Sequence, residues 1–316
     1  MARTSPHNMP KPSAPQIDKA PRSTAWPLLR SLRPEQWTKN LILFGGLLFG
    51  MRLFDLDAVL RASAAFFIFC GLSGVVYLVN DIMDREADKR HPLKRNRPIA
   101  SGALSPSTAG IAALVIAAVA LGGAWVLGRN FFYAALAYVS LQTVYSGPLK
   151  HMVIVDVLTI AFGFVLRAVG GAVAIFVPIS HWLMLVTVLL ALFLALAKRR
   201  HELTLLADGA GSHRRILEEY SPYLLDQMIS VVTASTLMAY ALYTVAPETV
   251  ARFGTDKLGL TIPFPLYGIF RYLYLVHQKK GGGSPSTMLL TDKPLLVCVG
   301  LWVCAVVLII YRPLIP

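Results

Sequence analysis

The stretch Tyr77-Leu78-Val79-Asn80-Asp81-Ile82-Met83-Asp84-Arg85-Glu86-Ala87-Asp88-Lys89-Arg90 closes an apolar run, 58–80, and sets three carboxylates where that run stops. A helix that crosses a bilayer needs roughly 20 apolar residues, so the run is long enough to span one. At about 100° per residue, Asp81, Asp84 and Asp88 fall within about 60° of one another if the helix continues. Three carboxylates on one face repel unless a cation lies between them. Such an oxygen-rich site suits Mg²⁺, which keeps some water and shares its other positions with substrate phosphates, and Asn80 adds a neutral oxygen ligand. The plain alternative is a solvated acidic helix end neutralised by Arg85, Lys89 and Arg90. Ionisable groups at the mouth of a membrane bundle favour the metal reading.

Outward from this segment the chain keeps the same character. Of 316 residues, 55% are hydrophobic and 15% charged, with a mean hydropathy of +0.58. That balance excludes a soluble enzyme, a disordered chain and a fibrous repeat. The expected fold is an all-α integral membrane bundle with nine spans: 41–54, 58–80, 107–127, 131–148, 153–177, 181–198, 229–247, 258–277 and 294–312. Gly and Ala within them, such as Gly170 and Gly171, permit close helix packing. Residues 1–24 read as a disordered cytoplasmic tail with no signal peptide. Residues 25–316 read as one transmembrane domain, entered by an interfacial helix over 26–40.

Lys and Arg exceed Asp and Glu by 30 to 17. In a membrane chain this excess points to cytoplasmic loops, bilayer phospholipid headgroups and phosphorylated substrates, not to nucleic acid. The cations concentrate in the tail and in loops 81–106 and 199–228, which places the N-terminus and those loops in the cytoplasm. Cys70, Cys298 and Cys304 sit in apolar runs and read as core residues. The seven His show no zinc spacing. The run Gly281-Gly282-Gly283-Ser284 reads as a flexible turn, because no strand precedes it.

A second constellation begins at Tyr145-Ser146-Gly147-Pro148-Leu149-Lys150-His151 and continues through Asp156 to Arg167. Eleven residues are almost three helical turns, so Asp156 and Arg167 share a face about 16 Å apart. An arginine at membrane depth needs a partner or a polar cavity. Asp156 itself, or a ligand lying between the two, would serve. Lys198-Arg199-Arg200-His201-Glu202 closes a further span on the same side, and Lys39 adds another cation there. Loop residues such as Arg97 are further candidates for substrate phosphate.

These residues identify a resemblance. Asn-Asp-x-x-Asp-x-x-x-Asp at a cytoplasmic helix end is the mark of the UbiA superfamily of membrane prenyltransferases. Over about 28–312 the chain resembles that superfamily in Arg33-Pro34-x-Gln36-Trp37-x-Lys39-Asn40, Asn80 to Asp88, and His91-Pro92-x-Lys94-Arg95. It does so again in Asp156, Gly163-Phe164-x-x-Arg167-Ala168, Gly170-Gly171 and Lys198-Arg199-x-x-Glu202-Leu203. Within the superfamily it looks most like the branch that moves a 5-phosphoribosyl group from phosphoribosyl diphosphate to a polyprenyl phosphate in cell-envelope synthesis. The aromatic prenyltransferases carry a second acid-rich motif, where this chain has only Asp156 before Arg167. One carboxylate fewer and one cation more fits a donor with an extra phosphate.

The resemblance implies nine transmembrane helices in the inner membrane, compatible with a homo-oligomer, and a Mg²⁺ site facing the cytoplasm. Asp81, Asp84 and Asp88, with Asn80, are the expected metal-holding set and, with Asp156, the expected catalytic acids. Lys150 and Arg167 are expected at donor phosphates, with Tyr145 and Asp156 near the ribose, and Arg97 is expected to bind substrate. Lys39, Lys198 or Arg199 is expected at the acceptor's phosphate. An aromatic prenyltransferase using a prenyl diphosphate is the nearest alternative. A transporter is remoter, since the acids cluster at one surface and no internal repeat is visible.

Overall fold

The computed structural model describes residues 24–92, 94–207, 215–279 and 285–312. The expected tail therefore lies, but for Thr24, outside the described residues, as does the Gly281–Ser284 turn. Regular structure among the described residues is helical. It comprises α1 (Ala25–Ser31), α2 (Gly45–Phe49), α3 (Leu56–Met83), α4 (Arg85–Arg90), α5 (Pro106–Leu127), α6 (Arg129–Ser146) and α7 (Val155–Ala174). Then come α8 (His181–Ala207), α9 (Pro222–Val245), α10 (Pro247–Phe253), α11 (Pro263–Gln278), α12 (Pro285–Thr291) and α13 (Lys293–Tyr311). A long 3₁₀ segment, Pro34–Phe44, precedes α2.

Local chemistry sets the helix starts. Asp55, Ser105, Ser221 and Asp292 each accept a hydrogen bond from a backbone N–H of the first turn, and Pro106, Pro222 and Pro294 occupy positions where a missing N–H costs nothing. The expected interfacial helix over 26–40 is broken. Pro34 disfavours the helical region for the residue before it, and Arg33 instead takes φ 53° and ends α1. The expectation overlooked that proline.

Among the described residues six helices are long and apolar enough to cross a membrane: α3, α5, α7, α8 over His181–Thr204, α9 and α13. The remaining expected spans fall on Pro34–Phe44 with α2, on α6, and on α11, which are helical but shorter or more polar.

Successive long helices pack against one another from α5 through α9, α3 joins α5, and the Pro34–Phe44 segment wedges between α3 and α7. One core gathers Leu43, Phe69, Leu72, Phe131 and Tyr138, a second gathers Phe193, Leu196, Ile229 and Tyr272, and α7 feeds both. The wedge fits because residue 171 is glycine: a Cβ there would stand 2.1 Å from the Leu43 carbonyl oxygen. Antiparallel alternation then brings the ends of α3, α6 and α8 and the starts of α7 and α9 to one side. The charged motifs sit on those ends.

At the opposite side Arg61 donates from Nε to the Ala174 carbonyl (2.8 Å) and from Nη2 to the Leu127 carbonyl. It thereby caps the C-termini of α7 and α5, where helix carbonyls lack intrahelical partners. Arg61→Ala is expected to cost about 1–3 kcal/mol, the penalty for stranding buried carbonyls. An unchanged thermal midpoint of the detergent-solubilised protein would refute this role.

Candidate active site

α3 ends at Met83, and Asp84 (φ −86°, ψ 5°) joins it to α4. The i→i−4 backbone bonds nonetheless run on, from Asp84 N–H to Asn80 O and from Asp88 N–H to Asp84 O, each 2.8 Å. The turn-by-turn spacing of the acids survives the junction. Asp81 and Asp88 are 2% and 3% exposed and converge on one cation. Arg97 Nη1 donates to Asp81 Oδ1 at 3.0 Å and to Asp88 Oδ2 at 2.6 Å.

Arg33 Nη2 also donates to Asp81 Oδ1, at 2.6 Å, with its guanidinium 4.6 Å from the centre of the Tyr77 ring. Asp84 faces elsewhere, with Lys150 Nζ 3.6 Å away. Among the described residues no three His, Cys, Asp or Glu side chains gather in one metal-binding cluster. The donor set still fits a divalent ion in one respect: two buried carboxylates aim an oxygen each at a single cationic atom.

Arg167 lies deeper, 6% exposed. Its Nε donates to Asn40 Oδ1 (2.7 Å), Nη1 to the Gly163 carbonyl (3.0 Å) and Nη2 to the Tyr138 hydroxyl (2.7 Å). The rings of Tyr138 and Phe164 flank it at 4.6 and 5.2 Å. Asn40 is held in turn by its Nδ2 donating to Cys70 Sγ, and Ser73 Oγ stands 3.1 Å from the Tyr138 hydroxyl. No carboxylate among the described residues pairs with Arg167. A buried guanidinium held by neutral oxygens and ring faces keeps its full charge for an anion.

Asp156, for which a pair with Arg167 and a ligand between the two were both open, pairs with Arg199. Arg199 is 1% exposed, and its Nε donates to Asp156 Oδ2 at 2.7 Å. The other donors of Arg199 go to Glu202 and to the Tyr145 hydroxyl. Tyr220 completes the group: its hydroxyl donates to Asp156 Oδ1 (2.9 Å) and accepts from the Ile154 N–H (2.7 Å). Ile154 has φ 67°, a strained conformation for a β-branched residue that this network holds in place. Burial pushes the Tyr220 hydroxyl up to about 12, so it remains protonated and able to donate. The pairing follows from length, since three helical turns separate Asp156 from Arg167 while α8 brings Arg199 alongside.

Lys39, half-buried and outside the six spans, is pushed down to about 7. Burial is the main cause, followed by Lys198, Arg167 and Arg33, all nearby cations. Lys198 itself sits 3.8 Å from Glu202. The Trp37 indole N–H, one 3₁₀ turn before Asn40, is buried with no hydrogen-bond partner among the described residues. Lys39, Lys198, Arg167 and Arg33 thus gather positive charge, and Arg33 links this group to Asp81.

Sequence reasoning named Asp81, Asp88, Arg97, Arg167, Asp156, Tyr145 and Arg199 but missed Arg33, Asn40, Tyr138, Glu202 and Tyr220 as their partners. Tyr138 was legible: it lies seven residues before Tyr145, on the same face of α6. Arg200, by contrast, is drawn away from this group by a two-point pair with Asp226, which His277 also approaches at 3.3 Å. Asp226 and His277 line the polar end of a groove of about 410 Å³ between α9 and α11.

Known proteins share this framework. Residues 41–292 match the model of the UbiA prenyltransferase family. The chain is 33% identical to a decaprenyl-phosphate phosphoribosyltransferase of Corynebacterium glutamicum, covering 92% of this chain and 89% of that one. It is 31% identical to the protein of that name from Mycobacterium tuberculosis, over 92% and 96%. A UbiA homologue from Archaeoglobus fulgidus, solved with GPP and Mg²⁺, superposes with a TM-score of 0.66 at 18% identity, covering 90% of this chain and 99% of that one. With most of its length inside the family match and relatives of this similarity aligned nearly end to end, the chain belongs to the UbiA prenyltransferase family.

Proposed function

We propose that the protein transfers a 5-phosphoribosyl group from phosphoribosyl diphosphate to a polyprenyl phosphate and releases diphosphate, as a step in cell-envelope precursor synthesis. The observation that carries this reading is Arg167, a buried cation without a carboxylate partner among the described residues, near Lys39, which has Lys198 as a further cationic neighbour. Such an excess of positive charge suits a donor with a phosphate at each end. The names of the relatives point the same way. In this reading the nine spans all cross the inner membrane as one domain, with the N-terminus and the site on the cytoplasmic side.

Asp81, Asp84 and Asp88, with Asn80, would hold Mg²⁺, which when bound neutralises charge on the departing diphosphate. Lys150, beside Asp84, receives the same diphosphate. Arg167 takes the 5-phosphate, with its guanidinium already aligned by Asn40, Tyr138 and the Gly163 carbonyl. Pre-alignment of this kind avoids reorganisation when charge develops. Arg199 fixes Asp156 and Tyr145 at the ribose, since each of its three nitrogens is engaged with them or with Glu202.

The acceptor's headgroup meets Lys39 and Lys198 from the bilayer side. One of its phosphate oxygens bonds to the anomeric carbon as the bond from that carbon to diphosphate breaks. The phosphate is anionic at neutral pH, so no side chain has to remove a proton, and positioning supplies most of the rate.

Membranes carrying the protein are to be incubated with labelled phosphoribosyl diphosphate, polyprenyl phosphate and Mg²⁺, and separately with prenyl diphosphate and 4-hydroxybenzoate. Labelled phosphoribosyl lipid in the first arm is the expected result. Prenylated benzoate in the second, with nothing in the first, would replace this reading.

Lys39 makes binding depend on pH. An anion beside it raises its pKa above the value of about 7 in the free protein. Its contribution to affinity is then full below about pH 7 and lost as pH rises through the bound-state value. Polyprenyl phosphate is expected to show a KM that rises between about pH 7 and 9. The rise flattens in Lys39→Arg, whose guanidinium stays charged. An identical profile in the two proteins would remove Lys39 from the binding face.

A further inference from the structure

Arg97 holds its two acids in an unusual way. A single nitrogen, Nη1, serves both Asp81 and Asp88, while its Nε and Nη2 have no partner among the described residues. Two other arginines pair by the fork: Arg271 reaches both oxygens of Asp292 (3.1 and 2.8 Å) and Arg200 both oxygens of Asp226. The fork is the tighter and more specific arrangement. A point-like contact bridging oxygens of two carboxylates is the geometry of a small cation.

The side chain of Arg97 also keeps 27% exposure against 2% and 4% for its partners. It stands in the connection between α4 and α5, anchored by its own backbone to Lys94 O and Ser101 N–H. Its guanidinium therefore has room to leave without disturbing a helix. Asp81 keeps a second cation, Arg33, when it does. Asp88 does not.

We infer that Arg97 is an exchangeable counter-ion: it holds Asp81 and Asp88 together until the metal-bearing donor arrives, yields the carboxylates to the divalent ion, and turns its guanidinium to the donor's diphosphate. Without Arg97, Asp88 would be left buried with no cation among the described residues, beside the like charge of Asp81, and would pay for desolvation. A tethered guanidinium prevents this before loading. After loading, the same charge is released where two phosphates need it. Arg97 is on this account a positioning residue for the acids in one state and a diphosphate ligand in the other.

The inference rests on the metal reading above, and its test separates the two. Mn²⁺ binding to the purified full-length protein is to be measured by electron paramagnetic resonance, for wild type, Arg97→Gln and Asp88→Asn, with and without phosphoribosyl diphosphate. Removing the internal competitor is expected to tighten binding of Mn²⁺ alone by about tenfold or more in Arg97→Gln, within the range by which groups around a metal alter its affinity. The donor should then add less to Mn²⁺ affinity in that variant than in wild type. The thermal midpoint of Arg97→Gln should fall without metal and recover with Mn²⁺, a rescue that a purely structural arginine would not show.

Unchanged or weaker Mn²⁺ binding in Arg97→Gln, with binding lost in Asp88→Asn, overturns the exchange and keeps the metal reading. Mn²⁺ binding indifferent to Asp88→Asn overturns the metal reading itself, and the exchange with it.

Discussion

Asp88→Ala is expected to lower formation of phosphoribosyl lipid by at least about 10²–10³-fold, the scale on which loss of one group stabilising developing charge is felt. The variant should remain folded in the membrane. Asp88 caps no helix and its one side-chain partner among the described residues is Arg97, which keeps Asp81 when Asp88 is gone. The loss is thus chemical, not structural. Turnover within a few fold of wild type, measured with labelled donor in membranes containing equal amounts of protein, would detach Asp88 from the reaction.

Arg167→Ala is the second large effect, and its signature is different. Removing a buried charge that has only neutral partners strands no counter-ion. Asn40 keeps Cys70, and the Tyr138 hydroxyl keeps Ser73. Stability is therefore expected to hold, in contrast to the several kcal/mol lost when one member of a buried ion pair is removed. Use of phosphoribosyl diphosphate should fall by about 10²-fold, mainly through KM at saturating acceptor, because a charge-assisted contact to the donor is lost. Arg199→Ala is the informative contrast. It leaves Asp156 buried without a cation, so expression and thermal midpoint should suffer together with activity. Arg167→Ala that unfolds, or that binds donor as wild type does, would remove Arg167 from the donor site.

Much of this was readable in the chain. Apolar runs longer than 18 residues announce their helices, and a carboxylate triplet at the end of one announces the buried acids Asp81 and Asp88. What spacing within one helix could not say is which acid meets which base. Asp156 and Arg167 share a face of α7, yet Asp156 is taken by Arg199 from α8 and Arg167 by Asn40 from the first segment. Partners across helices depend on packing, which one-dimensional periodicity does not carry. The same limit explains Arg97. As part of a basic loop it read as one phosphate contact among several, whereas the fold turns it back onto the acids. The break at Arg33 had a local signal, Pro34, and only the apolar pattern around it suggested a continuous helix.

Every group that receives Arg167 (Asn40, Tyr138 and Gly163) is earlier in the chain than the arginine itself. During synthesis the helix bearing this charge reaches the lipid when all of its acceptors have already been made. No segment still on the ribosome has to arrive before the guanidinium can be sheltered, so this costly insertion step comes with its remedy in place.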